Sequence, residues 1–183
     1  MTATEGSTFQ AQLDALVGQE LGSEILAPDP VNVPMIRHWV AAFDDQDPVY
    51  LDEEAAAASR FGEVVAPPMM LQTWTMPTPL IEGIGDRGGS PTVMVEANPL
   101  TVLDDAGFIA TLAATSEFEF DRYLHVGERI SSSNTIESIS QEKQTRIGRG
   151  HFVTWVTTFR DEQGEVVGRQ RFGILKFKPE LES

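Results

Sequence analysis

Residues 39–70 read WVAAFDDQDPVYLDEEAAAASRFGEVVAPPMM. Met35, Ile36, Trp39, Val40 and Phe43 fall on one helical stripe behind Pro34, a residue suited to the first turn of a helix. Pro48 disfavours helix at Asp47, so the helix should end within Asp44-Asp45-Gln46-Asp47-Pro48. A second, short helix is predicted over 52–59, because Asp52, Glu53 and Glu54 suit the positive end of its dipole. Phe61-Gly62 stops it, and Val64-Val65-Ala66 then runs into the Pro67-Pro68 kink. A helix from Met69 should last about two turns before Pro77 and Pro79 end it.

Outward from this stretch the pattern changes. Phe9, Leu13, Leu16, Val17 and Leu21 have helical spacing over 9–21, ended near Gly18 or Gly22, after a small polar terminus expected to fray. Glu24–Leu26 suits a short strand, and Pro28 and Pro30 an extended linker. Residues 82–91 (EGIGDRGGSP) have loop composition, and 92–110 shows neither period clearly. From Ala113 the period is two. Strands are predicted to about Asp121, over 129–142 with a bulge where Ile136 and Ile139 fall out of phase, over 148–160, and over 166–178. Both faces of 148–160 are apolar or β-branched, which predicts a central strand covered on both sides. Helices followed by an antiparallel meander give an α+β chain with a helix on one face of a curved sheet.

The 183 residues carry 28 acidic and 13 basic side chains, a net charge of −15. Such a surface repels nucleic acid and anionic membranes. No apolar run reaches the roughly 18 residues a membrane span needs, and no secretory signal is evident. With no cysteine, disulfides and Cys-ligated metal sites are excluded. Eight of the basic residues follow residue 142, making that part either a locally cationic surface or a set of scattered solvated charges. His38, His125 and His151 lack metal-ligand spacing, so no metal is expected. A cytoplasmic location is expected.

Asp44, Asp45 and Asp47, with Tyr50 close behind, read by composition as helix termination, since Asp favours turns. The stretch also resembles the MaoC-like, (R)-specific enoyl-CoA hydratase family, which has the hot-dog fold. That family carries an aromatic residue, then D-x-N-P-aliphatic-H, then a small residue after a five-residue gap. Here the matching run is Asp45-Gln46-Asp47-Pro48-Val49-Tyr50, with Phe43 and Trp39 upstream and Ala56 downstream. The likeness continues through Ala55, Phe61-Gly62, Val64-Val65-Ala66 and Met69. The departures fall on the chemistry that the resemblance implies. Tyr50 stands where the family has its His base, and a phenol with a pKa near 10 is no neutral-pH base. Asp47 replaces the Asn and adds charge beside Asp45. Ala66-Pro67-Pro68-Met69 stands where the family has A-H-G-M, and Pro68 has no N–H to polarise a thioester carbonyl.

The resemblance therefore implies a non-catalytic chain, most like the larger chain of two-subunit actinobacterial steroid side-chain hydratases. It implies residues 1–183 as a single hot-dog domain with an N-terminal helical extension, either a whole chain or the N-terminal domain of a longer one. The implied partner is a small MaoC-like catalytic subunit in a hetero-oligomer of heterotetramer type. The implied substrate is an enoyl-CoA thioester, with no separate cofactor. Met69, Met70, Trp74 and Met76 are expected to line a hollow left by the shortened helix, or else to be plain core. Arg146 and Arg149 are candidates for CoA phosphates, or else mark a hairpin turn. Two other functions stay open: an accessory subunit of a (3R)-hydroxyacyl-ACP dehydratase, and a non-enzymatic thioester-binding or assembly module. An active homodimer using Asp45 with Tyr50 is the remaining enzyme reading.

Overall fold

A computed structural model describes residues 3–85 and 99–179. Its core is an antiparallel sheet in the order β1 (Ile25–Leu26), β5 (Ser131–Ile139), β7 (Gly148–Arg160), β8 (Val166–Pro179), β3 (Ala110–Phe120), with β6 (Lys143–Thr145) also on β7. A second, two-stranded sheet pairs β2 (Val65–Ala66) with β4 (Leu124–His125). The helices are α1 (Ala3–Asp14), α2 (Val33–Phe43), α3 (Glu53–Ala58), α4 (Leu71–Trp74) and α5 (Thr101–Asp105).

Local chemistry accounts for the helices around the 39–70 stretch. The Asn32 side chain accepts the Met35 N–H at 3.0 Å and caps α2, with a Pro in its first turn. Ile36 and Val40 are buried, each contributing about 2 kcal/mol by burial. Asp44 ends the helix at φ 51°, a left-handed conformation that Asp tolerates better than most residues. Asp52 caps α3 by accepting the Glu54 and Ala55 N–H groups.

Several predicted elements shift. The first helix begins at Ala3 instead of fraying there, and ends at Asp14, because the chain turns at Gly18 (φ 86°). Leu21 is therefore outside the helix; it is buried, with its N–H donating to Asn134 O. The helix predicted from Met69 is one α-helical turn, Leu71–Trp74, behind a tight 3-10 turn at Pro68–Met70. The 92–110 segment contains α5; the loop predicted over 82–91 lies from residue 86 onward outside the described residues.

The strands follow the sequence reading closely. β7 spans Gly148–Arg160 and is central, and β5 has its irregularity between Ile136 and Ser138. Coverage of β7 is one-sided, however. His151, Val153, Thr157 and Phe159 are buried, whereas Phe152, Thr154, Val156 and Thr158 are half-exposed. The second face carries β-branched residues because they suit a pleated surface, and this is a propensity effect that does not require burial.

Two apolar clusters fill the concave side. One joins Ile36, Val40, Tyr50, Val65, Met70, Leu71, Trp74, Phe159 and Val167; the other joins Leu13, Leu103, Phe108, Ile136, Val153 and Ile174. α4 lies close on the sheet at Gly168: a Cβ there would stand 2.7 Å from Leu71 Cδ2 and 2.7 Å from Glu119 O. Gly168 thus sets how near the short helix can approach β8.

Candidate functional site

The Asp45–Tyr50 segment is a chain of carboxylate-stapled turns. The Asp45 N–H continues from α2 by donating to Val40 O at 2.9 Å. Asp45 Oδ1 accepts the Asp47 N–H at 3.1 Å, and Asp47 Oδ1 accepts the Val49 N–H at 3.2 Å. Asp47 thereby caps the 3-10 turn Pro48–Tyr50. These bonds are the turn-forming role that composition alone suggests for Asp.

The turn delivers Tyr50 into the core with 8% of its surface exposed. There it hydrogen-bonds Tyr123, at the entry to β4. Burial, then the charges of Tyr123, Asp45 and Asp47, push the Tyr50 phenol up to about 12, and the hydrogen bond acts in the same direction. The group at the family's base position is thus a neutral phenol at physiological pH. It cannot take a proton from water as an imidazole does.

That shift has a stability consequence. With a folded pKa above the unfolded value near 10, Tyr50 contributes fully below about pH 10, and its contribution is lost as pH rises toward about 12. In a phenolate absorbance titration the wild type is expected to keep one tyrosine proton to about pH 12. Tyr50→Phe should remove that late step and raise the midpoint of alkaline unfolding. A late step surviving in Tyr50→Phe would refute the assignment.

Pro68 opens the 3-10 turn after Pro67, and its carbonyl accepts the Leu71 N–H. It offers no donor of its own, so a thioester oxygen placed at this position would meet no backbone N–H from residue 68.

Around the site, Phe61 packs on Tyr123 at 4.5 Å between ring centroids, and the Arg60 guanidinium lies 4.8 Å over Phe61. Arg122 pairs with Glu128, between β4 and β5, at 2.7 Å and with Asp161 in the β7–β8 hairpin at 2.9 Å. The bond to Glu128 chiefly holds the Arg122 guanidinium above its ordinary pKa. At Asp161, burial pushes upward but is outweighed by the Arg122 bond and the Glu165 and Gln163 N–H groups, so its carboxyl sits below the usual value. Sequence reading missed both Tyr123 and this network; nothing in the local pattern around Arg122 announces contacts to positions 128 and 161.

The other candidate residues separate. Met70 and Trp74 are buried in the first cluster, at 1% and 2% exposure, whereas Met69 and Met76 are about half exposed. A four-residue helix buries one side only, so the four do not gather around one point. Arg146 is exposed in the β6–β7 turn, and Arg149 pairs with Glu142 at 3.3 Å. That tip lies about 33 Å along β7 from Phe159, which belongs to the Tyr50 cluster. Besides Arg149, three more of the eight C-terminal basic residues meet carboxylates: Arg169 meets Asp121, Arg171 meets Glu117 and Glu137, and Lys176 meets Asp104. His38 is exposed, His125 stands 3.0 Å from Glu63, and His151 is buried with Nδ1 at 2.8 Å from Ser140 O. No helix among the described residues is long and apolar enough to cross a membrane.

Comparison with known proteins agrees with this geometry. Residues 15–170 match the family model described as FAS1-like, dehydratase domain region. A probable enoyl-CoA hydratase alpha subunit from Thermomonospora curvata is 45% identical over 180 residues, covering 95% of this chain and 53% of the relative. The 3-oxo-4,17-pregnadiene-20-carboxyl-CoA hydratase alpha subunit from Mycobacterium tuberculosis is 39% identical over 154 residues, covering 84% of this chain and 47% of the relative. This chain thus spans about half the length of the curated relatives it matches. Among solved structures, a chain of the ChsH1-ChsH2 complex from M. tuberculosis superposes with a TM-score of 0.77 at 34% identity, covering 99% of this chain and 96% of that one.

Proposed function

The chain belongs to the FAS1-like dehydratase family, a MaoC-like group with the hot-dog fold, and on that premise we propose that it is the non-catalytic, substrate-accommodating subunit of a heteromeric enoyl-CoA hydratase. The observation that carries this reading is Tyr50: a buried, protonated phenol where the reaction needs a base. Pro68 removes the carbonyl donor at the same site. The Asp and His that activate water come from a small MaoC-like partner. The substrate is a bulky enoyl-CoA of the steroid side-chain type, its acyl end received on the concave face near Met70 and Trp74.

β3 supports a partner on this surface. Among the described residues it is an 11-residue edge strand, and nearly all of it is exposed. Long exposed edges with apolar side chains invite pairing with another chain. Leu112 on it is 52% exposed, and Ile109, just before it, is 60% exposed.

The test is hydration of short and bulky enoyl-CoAs by the chain alone and with such a partner. Loss of a base costs about 10²–10⁴ and loss of an oxyanion donor about 10²–10³. The chain alone is therefore expected to run at least about 10⁴-fold below the complex. Turnover by the chain alone at a rate near that of the complex would overturn the reading.

A further inference from the structure

The two halves of β3 differ in chemistry. Its first half, 110–114, reads ATLAA; its second half, taken to the residue just beyond it, reads TSEFEFD. Residues 110–121 thus carry Glu117, Glu119 and Asp121 and no cation. Strand alternation sends Glu117 and Glu119 to the outer face of the sheet and Phe118 and Phe120 to the concave face. On β8 the two carboxylates stand in register with Arg171 and Arg169. The two Phe rings stack at 5.7 Å between centroids.

The two arginines do not balance this row. Arg171 donates its Nε–H to Glu137 on β5 at 2.5 Å, and its contact with Glu117 is the longer one, at 3.5 Å. Arg169 turns to Asp121, at 3.5 Å. Glu119 stands opposite Arg169 yet has no ion partner among the described residues, and the Glu117 side chain is 67% exposed. Glu117, Glu119, Asp121 and Glu137 therefore share two guanidinium groups, and the surplus of negative charge lies on the outermost strand. Charge on an open edge keeps unselected strands away. It does so by sign: like charges facing each other across two strands repel, and opposite charges attract. The concave side of the same half carries the aromatic pair, with Phe120 36% exposed, so this half combines a charge filter with apolar surface left to bury.

We propose that the second half of β3 selects its partner by charge. The strand that pairs here alternates Lys or Arg, opposite Glu117 and Glu119 on the outer face, with apolar residues opposite Phe118 and Phe120. This rests on the partner-dependent reading and deepens it by naming the chemistry of the partner's edge. The first half, around Leu112, supplies apolar contact without discrimination, and the second half supplies the discrimination. A second copy of this chain brings no cation to the edge, because its own residues 110–121 contain none. β3 therefore favours a different chain over itself.

The test measures Kd between the chain and the small MaoC-like partner subunit at low and high salt. From the usual strength of opposite-charge pairs across strands, Glu117→Gln/Glu119→Gln is expected to raise Kd about 2- to 30-fold at about 50 mM salt. At about 1 M salt, where screening acts within about 3 Å, the difference should fall below about twofold. Glu117→Lys/Glu119→Lys sets like charge against like, so its complex should tighten as salt is added, the reverse of the wild type. Glu20→Gln/Asp29→Asn is the control: it removes the same charge from exposed positions on the β1 side of the sheet and should bind as the wild type does. Equal Kd for Glu117→Gln/Glu119→Gln and the control at low salt overturns the inference. If Leu112→Asp still breaks the complex in that case, the β3 edge stands as the partner surface without charge selection. Full affinity in Leu112→Asp, or no binding by the wild type, removes the β3 reading itself and this inference with it.

Discussion

Trp74→Ala is expected to lower the melting temperature of the chain by about 10 °C. Trp74 is 2% exposed and packs in the cluster with Met70, Leu71, Val65, Phe159 and Val167. Truncating a buried Trp removes its transfer free energy and leaves a hole that the surroundings close only in part, at a cost of about 3–5 kcal/mol. For a domain of this size each kcal/mol moves the midpoint by roughly 2–4 °C. Little slack is available to absorb the loss. α4 is a single turn, fixed at one end by the 3-10 turn at Pro68–Met70 and held against the sheet at Gly168. Differential scanning calorimetry on the purified chain checks the value. A drop under about 3 °C, less than one kcal/mol at the upper conversion, would mean that Trp74 lines open space and is not core. In the complex, the same variant should also change the ratio of activity on bulky and short enoyl-CoAs; an unchanged ratio would remove Trp74 from the substrate path.

What could be read from the sequence follows the range of the forces involved. β7 and the irregularity in β5 were legible because period-two alternation is set residue by residue. The ends of α2 and α3 were legible because caps act within three residues. α4 was overestimated: Pro77 and Pro79 mark a stop, but the local pattern does not reveal that Pro67-Pro68 would tighten the first turn into 3-10 geometry. Exposure of Met69 and Met76 follows from that shortening. The unusual positions Tyr50 and Pro68 were visible as departures from a motif. The Tyr50–Tyr123 bond, which adds to the burial that raises the phenol's pKa, spans more than seventy residues and left no local signal. Gln72, Ser116 and Gln170 are likewise ordinary polar residues in sequence, joined only by the register of β3 on β8 and the approach of α4.

Leu112→Asp is expected to leave the isolated chain nearly as stable as wild type while abolishing its complex at ordinary concentrations. Leu112 is 52% exposed on β3, whose one strand neighbour among the described residues is β8. An exposed position of this kind changes folding stability by about 0.5 kcal/mol or less. At a paired edge the balance differs. A carboxylate placed in the contact must lose water without a matched cation, which costs about 2–5 kcal/mol or more. Kd for the partner should therefore rise by at least about 100-fold. On the proposed reading the partner supplies the base, so hydration should fall in proportion to the complex lost and return when the partner is added in large excess. Ile109→Asp, one residue before the same strand, should behave alike. Ile147→Asp is the control: it is 41% exposed, but it lies in the turn at the far tip of β7, so association should be unaffected. Sedimentation velocity and the hydration assay read the two consequences separately. If Leu112→Asp binds the partner as tightly as wild type, the β3 edge is not the pairing surface. If binding is lost and excess partner fails to restore activity, Leu112 lies in the substrate path and has a role beyond the interface. Restoration by mass action alone is the outcome that a partner-dependent hydratase built on this edge requires.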